Sequence, residues 1–130
     1  MQDKNIDKNT EKEKLYKIGE FARKIRVNIQ TLRGYDREGI LCPKRSDTNR
    51  RGYTDEDFER VKIVLYLTNA LSVNLNGVKI ILKFLEKSRL KPALGLELLK
   101  NTAKSVGITD EEILNNLKRY NKEDLNIFNS

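Results

Sequence analysis

The stretch from Tyr16 to Tyr53 reads YKIGEFARKIRVNIQTLRGYDREGILCPKRSDTNRRGY, and the order of signals within it decides the fold. Ile18, Phe21, Ala22 and Ile25 fall at i, i+3, i+4 and i+7, which puts one apolar stripe on a short helix. Val27 then packs in a turn. Asn28 is a good N-cap for a second helix, because its side chain can accept from the free N–H groups of the first turn. Leu32 and Tyr35 face inward in that helix, and Gly39 ends it. Two short helices joined by so few residues form a helix-turn-helix unit. After Ile40-Leu41-Cys42-Pro43, the segment KRSDTNRRGY sets Ser46, Asp47, Thr48 and Asn49 between basic flanks, the pattern of a two-stranded hairpin or wing. The expected class is mostly α: a winged helix-turn-helix with a small β-hairpin wing, followed by additional helices.

Charge points the same way. Residues 17–53 carry ten Lys/Arg and four Asp/Glu, a net of +6 out of +7 for the whole chain. Concentrated in one segment, that excess makes a local field that attracts a polyanion, which fits duplex DNA as the partner.

Outward from this stretch the chain reads as more helix. Thr54-Asp55-Glu56-Asp57 is a capped helix start, with acids facing the positive end of the dipole. Phe58, Val61, Val64, Leu65 and Thr68 give that helix an apolar face ending near Leu71. Asn74 caps another helix whose core face is Val78, Ile81, Leu82 and Leu85, while Ile80 and Phe84 make a second apolar surface. Pro92 interrupts the pattern. Residues 93–106 are then helical through Leu94, Leu98, Leu99 and Ala103, although Gly95 weakens the segment, and Gly107 stops it. Thr109 caps Asp110–Tyr120, with Ile113, Leu114 and Leu117 inward. The expected organisation is a flexible arm over 1–15, a DNA-binding domain over 16–87, and a helical C-terminal segment over 88–130 for dimerisation or partner docking.

Several function classes fall away. With no histidine and one cysteine, the chain offers no imidazole base, no disulfide and no multi-thiolate metal site. Cys42 reads as a small apolar filler rather than a reactive thiol. No Gly-rich phosphate loop or nucleophile–base pair can be assembled, so no enzyme and no cofactor are expected. The longest apolar run, Ile63–Leu67, is far too short to span a bilayer, and no signal-peptide core is present, so a soluble cytoplasmic protein is expected.

The chain resembles the MerR family of winged helix-turn-helix transcription regulators. The resemblance rests on Tyr16-Lys17-Ile18-Gly19-Glu20-Phe21-Ala22, on Thr31-Leu32-Arg33, on Tyr35-Asp36-Arg37-Glu38-Gly39-Ile40-Leu41, and on Asn49-Arg50-Arg51-Gly52-Tyr53-Thr54-Asp55-Glu56-Asp57. It covers about residues 16–86. The segment Val73–Leu82 is similar to the heat-shock repressor and glutamine-synthetase repressor branches. The resemblance implies a dimeric, sequence-specific regulator of transcription, a repressor if that branch holds. Arg26 stands where many members have Gly, Gly34 replaces one of two aromatics, and Lys17 replaces the usual Ser/Thr ahead of the first helix. Metal-sensing cysteines are absent, and Pro92, Gly95 and Gly107 break any long dimerising helix.

The first residues of a recognition helix enter the major groove. Here these are Asn28, Gln30 and Thr31, where Asn and Gln can pair with adenine and the threonine methyl can meet a thymine methyl. Asn28 is equally an ordinary cap. Arg33 and Arg37 suit phosphates. Tyr35 can reach a phosphate or be buried, and Tyr53 can pack the wing on the core. Arg45, Arg50 and Arg51 of the wing can grip the backbone or a minor groove. Lys17 completes the expected DNA-binding set. A second copy of the chain and a protein co-regulator are the other expected partners, since no pocket-forming domain or metal ligand is evident for a small effector. An accessory DNA-bending factor of the excisionase kind, and an interaction module using residues 54–120, are the alternatives.

Overall fold

The computed structural model describes residues 14–119. The expected arm over 1–15 lies outside them except for its last two residues, as do Tyr120 and the tail after it. The chain order is helix α1 (Ile18–Ile25), helix α2 (Ile29–Arg37), strand β1 (Lys44–Arg45), strand β2 (Arg51–Gly52), then helix α3 (Asp55–Leu65) running into a π-helical stretch (Tyr66–Ala70). Helices α4 (Leu75–Lys87), α5 (Pro92–Ser105) and α6 (Asp110–Leu117) follow. A mostly α winged helix-turn-helix with a two-stranded antiparallel wing is what the sequence pattern predicts.

The turn between α1 and α2 is tight because Arg26 adopts left-handed backbone (φ 61°). Val27 N–H reaches back to the Ala22 carbonyl at 3.1 Å and closes the end of α1. A non-glycine residue there costs about 1 kcal/mol. At the other end of α1, Lys17 supplies no side-chain cap, but its backbone N–H donates to Glu20 Oε1 at 3.4 Å. Asn28 caps α2, accepting from Gln30 N–H at 2.7 Å. Gly39 leaves α2 with φ 72°.

The wing is anchored twice. Tyr16 and Tyr53 exchange backbone hydrogen bonds of 2.7 and 2.9 Å, and the Tyr53 ring stacks on Phe21 with centroids 4.5 Å apart. Gly52 permits that approach: a Cβ there would lie 2.7 Å from Leu15 Cβ. On the other edge, buried Asp57 accepts from Lys44 Nζ of β1 at 2.9 Å. Asp57 also closes the capping box with Thr54, at 2.9 and 3.1 Å, so the acidic cluster caps α3 as the sequence pattern predicts.

Helix α3 is apolar on more than one face. Val61, Val64 and Leu65 are buried, and so are Ile63, Tyr66 and Leu67. Helix α1 packs on one side, α5 lies across another, and α6 packs against the π-helical stretch. The head and the C-terminal helices therefore share one core. In the π-helical stretch Leu71 N–H donates to the Tyr66 carbonyl at 3.1 Å, an i to i+5 bond, and the Thr68 hydroxyl donates to the Val64 carbonyl at 2.9 Å. Asn116 Nδ2 of α6 donates to the Ala70 carbonyl at 2.7 Å and satisfies the end of the stretch.

The inward stripes of α5 and α6 differ from the predicted ones. In α5, Ala103 is buried and Leu99 packs on the core as predicted, but Leu94 and Leu98 are 57% and 49% exposed, and Gly95 and Leu96 are buried in their place. The reason is the crossing with α3 and α4: the α5 backbone at Gly95 faces Leu85 and Ile63, with a notional Cβ 3.4 to 3.6 Å from them. In α6, Leu117 is buried and Ile113 packs on the core, whereas Leu114 faces out. Cys42 is exposed rather than a core filler; the chain turns through Gly39 and Ile40 so that Leu41, not Cys42, enters the core.

Candidate nucleic-acid interface

Burial of Leu32 and Tyr35 fixes which side of α2 faces outward. Gln30, Arg33 and Arg37 are exposed, at the i, i+3, i+7 spacing of one helical face, and Thr31 is half-buried beside them. Asn28 is exposed, with its Oδ1 committed to the cap.

A groove runs between α2, the start of α1 and the wing, lined by Lys17, Arg33, Arg37 and Arg51 over a floor that includes Pro43, Gly52 and Tyr53. Asp36 lies in the same groove and pairs with Arg51, Nη2 to Oδ2 at 3.2 Å. At the wing tip Asn49 takes left-handed backbone (φ 63°), Ser46 N–H donates to the Arg50 carbonyl at 2.8 Å, and Arg45 Nη1 donates to Asn49 Oδ1 at 2.8 Å. Arg50 is exposed at that tip. Eight of the expected DNA-binding residues, Lys17, Asn28, Gln30, Arg33, Arg37, Arg45, Arg50 and Arg51, thus lie at the surface of one helix-turn-helix and wing.

Tyr35 and Tyr53 lie in the core, 8% and 1% exposed. Burial raises the Tyr53 phenol above its ordinary pKa, with Asp36 adding to the shift. Tyr16 is raised too, first through its hydroxyl donating to Asp55 Oδ1 at 2.8 Å. Burial and then neighbouring Asp36 also hold the Cys42 thiol above its ordinary value.

Four exposed cations of the same region lie outside the expected set: Arg23, Lys24, Arg26 and Lys44. Lys24 is held over the Tyr16 and Phe58 rings, 5.5 and 5.0 Å from their centroids, and Lys44 by Asp57. Arg26, in the turn between α1 and α2, has no partner among the described residues. Among those residues no cluster of His, Cys, Asp or Glu could hold a metal ion, and no helix is long and apolar enough to cross a membrane.

The family model described as MerR HTH family regulatory protein matches residues 16–85. Curated relatives include a heat shock protein HspR of Streptomyces coelicolor, 35% identical over 74 residues, which are 57% of this chain and 49% of the relative. The HTH-type transcriptional regulator ZntR homolog of Haemophilus influenzae is 30% identical over 74 residues, 56% of this chain and 54% of the relative. The HTH-type transcriptional regulator MlrA of Salmonella typhimurium is 37% identical over 70 residues, 52% of this chain and 28% of the relative. The chain spans about half the length of the first two of these relatives and less of the third. No solved structure matches.

Proposed function

The chain belongs to the MerR family of helix-turn-helix regulatory proteins, and from that premise we propose that it is a sequence-specific double-stranded DNA-binding regulator of transcription, acting as a two-fold dimer and as a repressor. The observation that carries this reading is the exposed face of α2, Gln30, Arg33 and Arg37, set beside a wing that presents Arg45, Arg50 and Arg51. Gln30 and the amide of Asn28 supply base-edge donors and acceptors, and the arginines supply phosphate contacts that fix register. The repressor role follows the likeness of Val73–Leu82 to the heat-shock and glutamine-synthetase repressor branches.

The dimer rests on unpartnered apolar side chains. Ile80 and Phe84 are 59% and 69% exposed, and Leu94, Leu98 and Leu114 are exposed with them. Leu99 and Leu117 pack in the monomer's own core and are not part of this surface. An isologous contact would bury part of that surface and present two recognition helices to two half-sites.

Selection from random duplexes, followed by footprinting upstream of the chain's own gene, tests the reading. The expected result is one inverted pair of half-sites, with transcription falling when the protein is added. Equal affinity for all duplexes would remove sequence specificity. Sedimentation of the full chain and of Phe84→Ser tests the dimer; a monomer that occupies one half-site alone would remove it. Truncation after residue 90 is a poor test, because it would uncover the face of α3 on which α5 packs.

A further inference from the structure

Away from the groove beside the wing, a half-open cleft of about 580 Å³ lies where the turn after α2, the start of α3, the face of α4 and the α4–α5 turn meet. That volume lies within the range of small-molecule sites, roughly 300–1,000 Å³. Its floor is apolar, formed by Ile63, Leu82 and Leu85 with Pro92. Its rim is charged, and the charges are not equivalent. Arg60 is held by Glu56 and Asp57, at 2.6 and 2.8 Å, Lys79 by Glu38 at 3.1 Å, and Lys83 by Glu86 at 2.9 Å. The side chains of Arg89 and Lys91 have no hydrogen bond or ion pair among the described residues. Two uncompensated cations therefore stand at one end of an apolar floor.

Two further features lie at that same end. Arg89 holds left-handed backbone (φ 61°), a conformation glycine would take more readily. Lys91 is the N-cap of α5 and its side chain makes no cap; Pro92 has no N–H to offer, which leaves the Ala93 and Leu94 N–H groups of the first turn for an anion. Bare phosphate would leave the floor unfilled, and a purely apolar guest would leave both cations without a partner.

We propose that this cleft binds a small amphipathic organic anion. The carboxylate, sulfonate or phosphate head sits at Arg89, Lys91 and the first turn of α5. The apolar body lies against Ile63, Leu82 and Leu85. The site is built from the turn after α2 (Gly39 and Ile40) and from α3, α4 and α5, so a bound anion joins that turn to the C-terminal helices.

The test uses the full chain without DNA, so its outcome is separate from that of the DNA reading. Anilinonaphthalene sulfonate is titrated by fluorescence and then displaced with octanoate, octanol, inorganic phosphate or a mixed-sequence duplex. Arg89→Gly with Lys91→Gln removes both cations, and the glycine suits the left-handed backbone, so the fold survives; thermal melting checks this. The expected result is at least a fivefold loss of probe affinity in this variant, an unchanged affinity in Phe84→Ser, and displacement by octanoate at concentrations where octanol and phosphate are without effect. A smaller loss in the double variant, loss of binding in Phe84→Ser, failure of the probe to bind, or displacement by octanol or phosphate as effective as that by octanoate overturns the proposal. Displacement by the duplex also overturns it, because the two cations would then belong to a nucleic-acid backbone site.

Discussion

Asp36 of α2 and Arg51 of β2 are joined across the groove beside the wing by a hydrogen bond of 3.2 Å. Both side chains are partly exposed, so the pair adds only about 0–1 kcal/mol to stability. Its larger effect is on charge: the one acid in the groove masks one of its arginines.

Removing that mask should tighten binding without changing the preferred site. Asp36→Asn is expected to raise affinity for every duplex by roughly threefold, and Arg51→Ala to weaken all duplexes about equally and lower the salt slope by about 1. For a dimer making ~6–10 phosphate contacts, affinity should fall by about 10³–10⁵ between 50 and 200 mM salt. Anisotropy titrations across that range check both. An Asp36→Asn variant that favours a new sequence would mean that the carboxylate reads bases.

Gln30 and Asn28 separate reading from capping. Gln30→Ala should cost roughly 1–3 kcal/mol of preference for the selected site for each base that Gln30 pairs with, and leave stability unchanged. Asn28→Ala should cost about 1 kcal/mol of stability, because Asn28 Oδ1 accepts from Gln30 N–H at 2.7 Å. Asn28→Ser restores the cap, so any site preference it still lacks belongs to the Asn28 amide. Melting curves and competition binding on the three variants decide this; a site preference untouched by Gln30→Ala removes α2 as the reading element.

Asp57 is fully buried and joins the wing, the cap of α3 and Arg60. Asp57→Ala should lose about 2–3 kcal/mol, the sum of a lost cap and charge-assisted hydrogen bonds. It should also loosen β1, since Lys44 loses its anchor. Chemical denaturation gives the first quantity and amide exchange at 44–52 the second. A loss under about 0.5 kcal/mol would mean that the Tyr16–Tyr53 backbone bonds and the Phe21–Tyr53 stack hold the wing without the Asp57 anchor.

Cys42 gives a pH prediction. Its thiol is raised above 9.0 by burial and by Asp36, so the thiolate is scarce at neutral pH although the residue is exposed. Alkylation by iodoacetamide should be slower than for a free thiol at pH 8, and its rise with pH should level off at a higher pH than that of a free thiol. Asp36→Asn removes one raising influence and shifts the climb to lower pH. A rate profile centred below that of free cysteine would show that Lys44 and Arg51 dominate instead.

The helix-turn-helix was legible in the sequence because its information is local. The stripe Ile18–Phe21–Ala22–Ile25, the Asn28 cap and the Gly39 stop each act within one or two turns, and the structure has all three. The wing and the Thr54 cap were legible for the same reason. Arg26 was visible as a departure from the Gly of many members, and its positive φ is the conformation that favours Gly. What failed was tertiary. Leu94 and Leu98 fit a helical stripe with Leu99 and Ala103 as well as Leu96 does, and only the crossing at Gly95 chooses between them. The Lys44–Asp57 anchor joins residues thirteen apart on different elements, and the Arg89–Lys91 cleft draws on three helices and the turn after α2; neither leaves a pattern in a short window.

The π-helical stretch at Tyr66–Ala70 sets a phase for everything after it. An α-helix advances by about 100° per residue, so losing one residue here would let the segment close as ordinary α-helix and turn its end by about that angle. The Ala70 carbonyl would then no longer meet Asn116, and α6 would lose the partner that docks it. Where an aligned relative is one residue shorter across 66–70, the gap marks a different seat for its C-terminal helices rather than a trimmed loop.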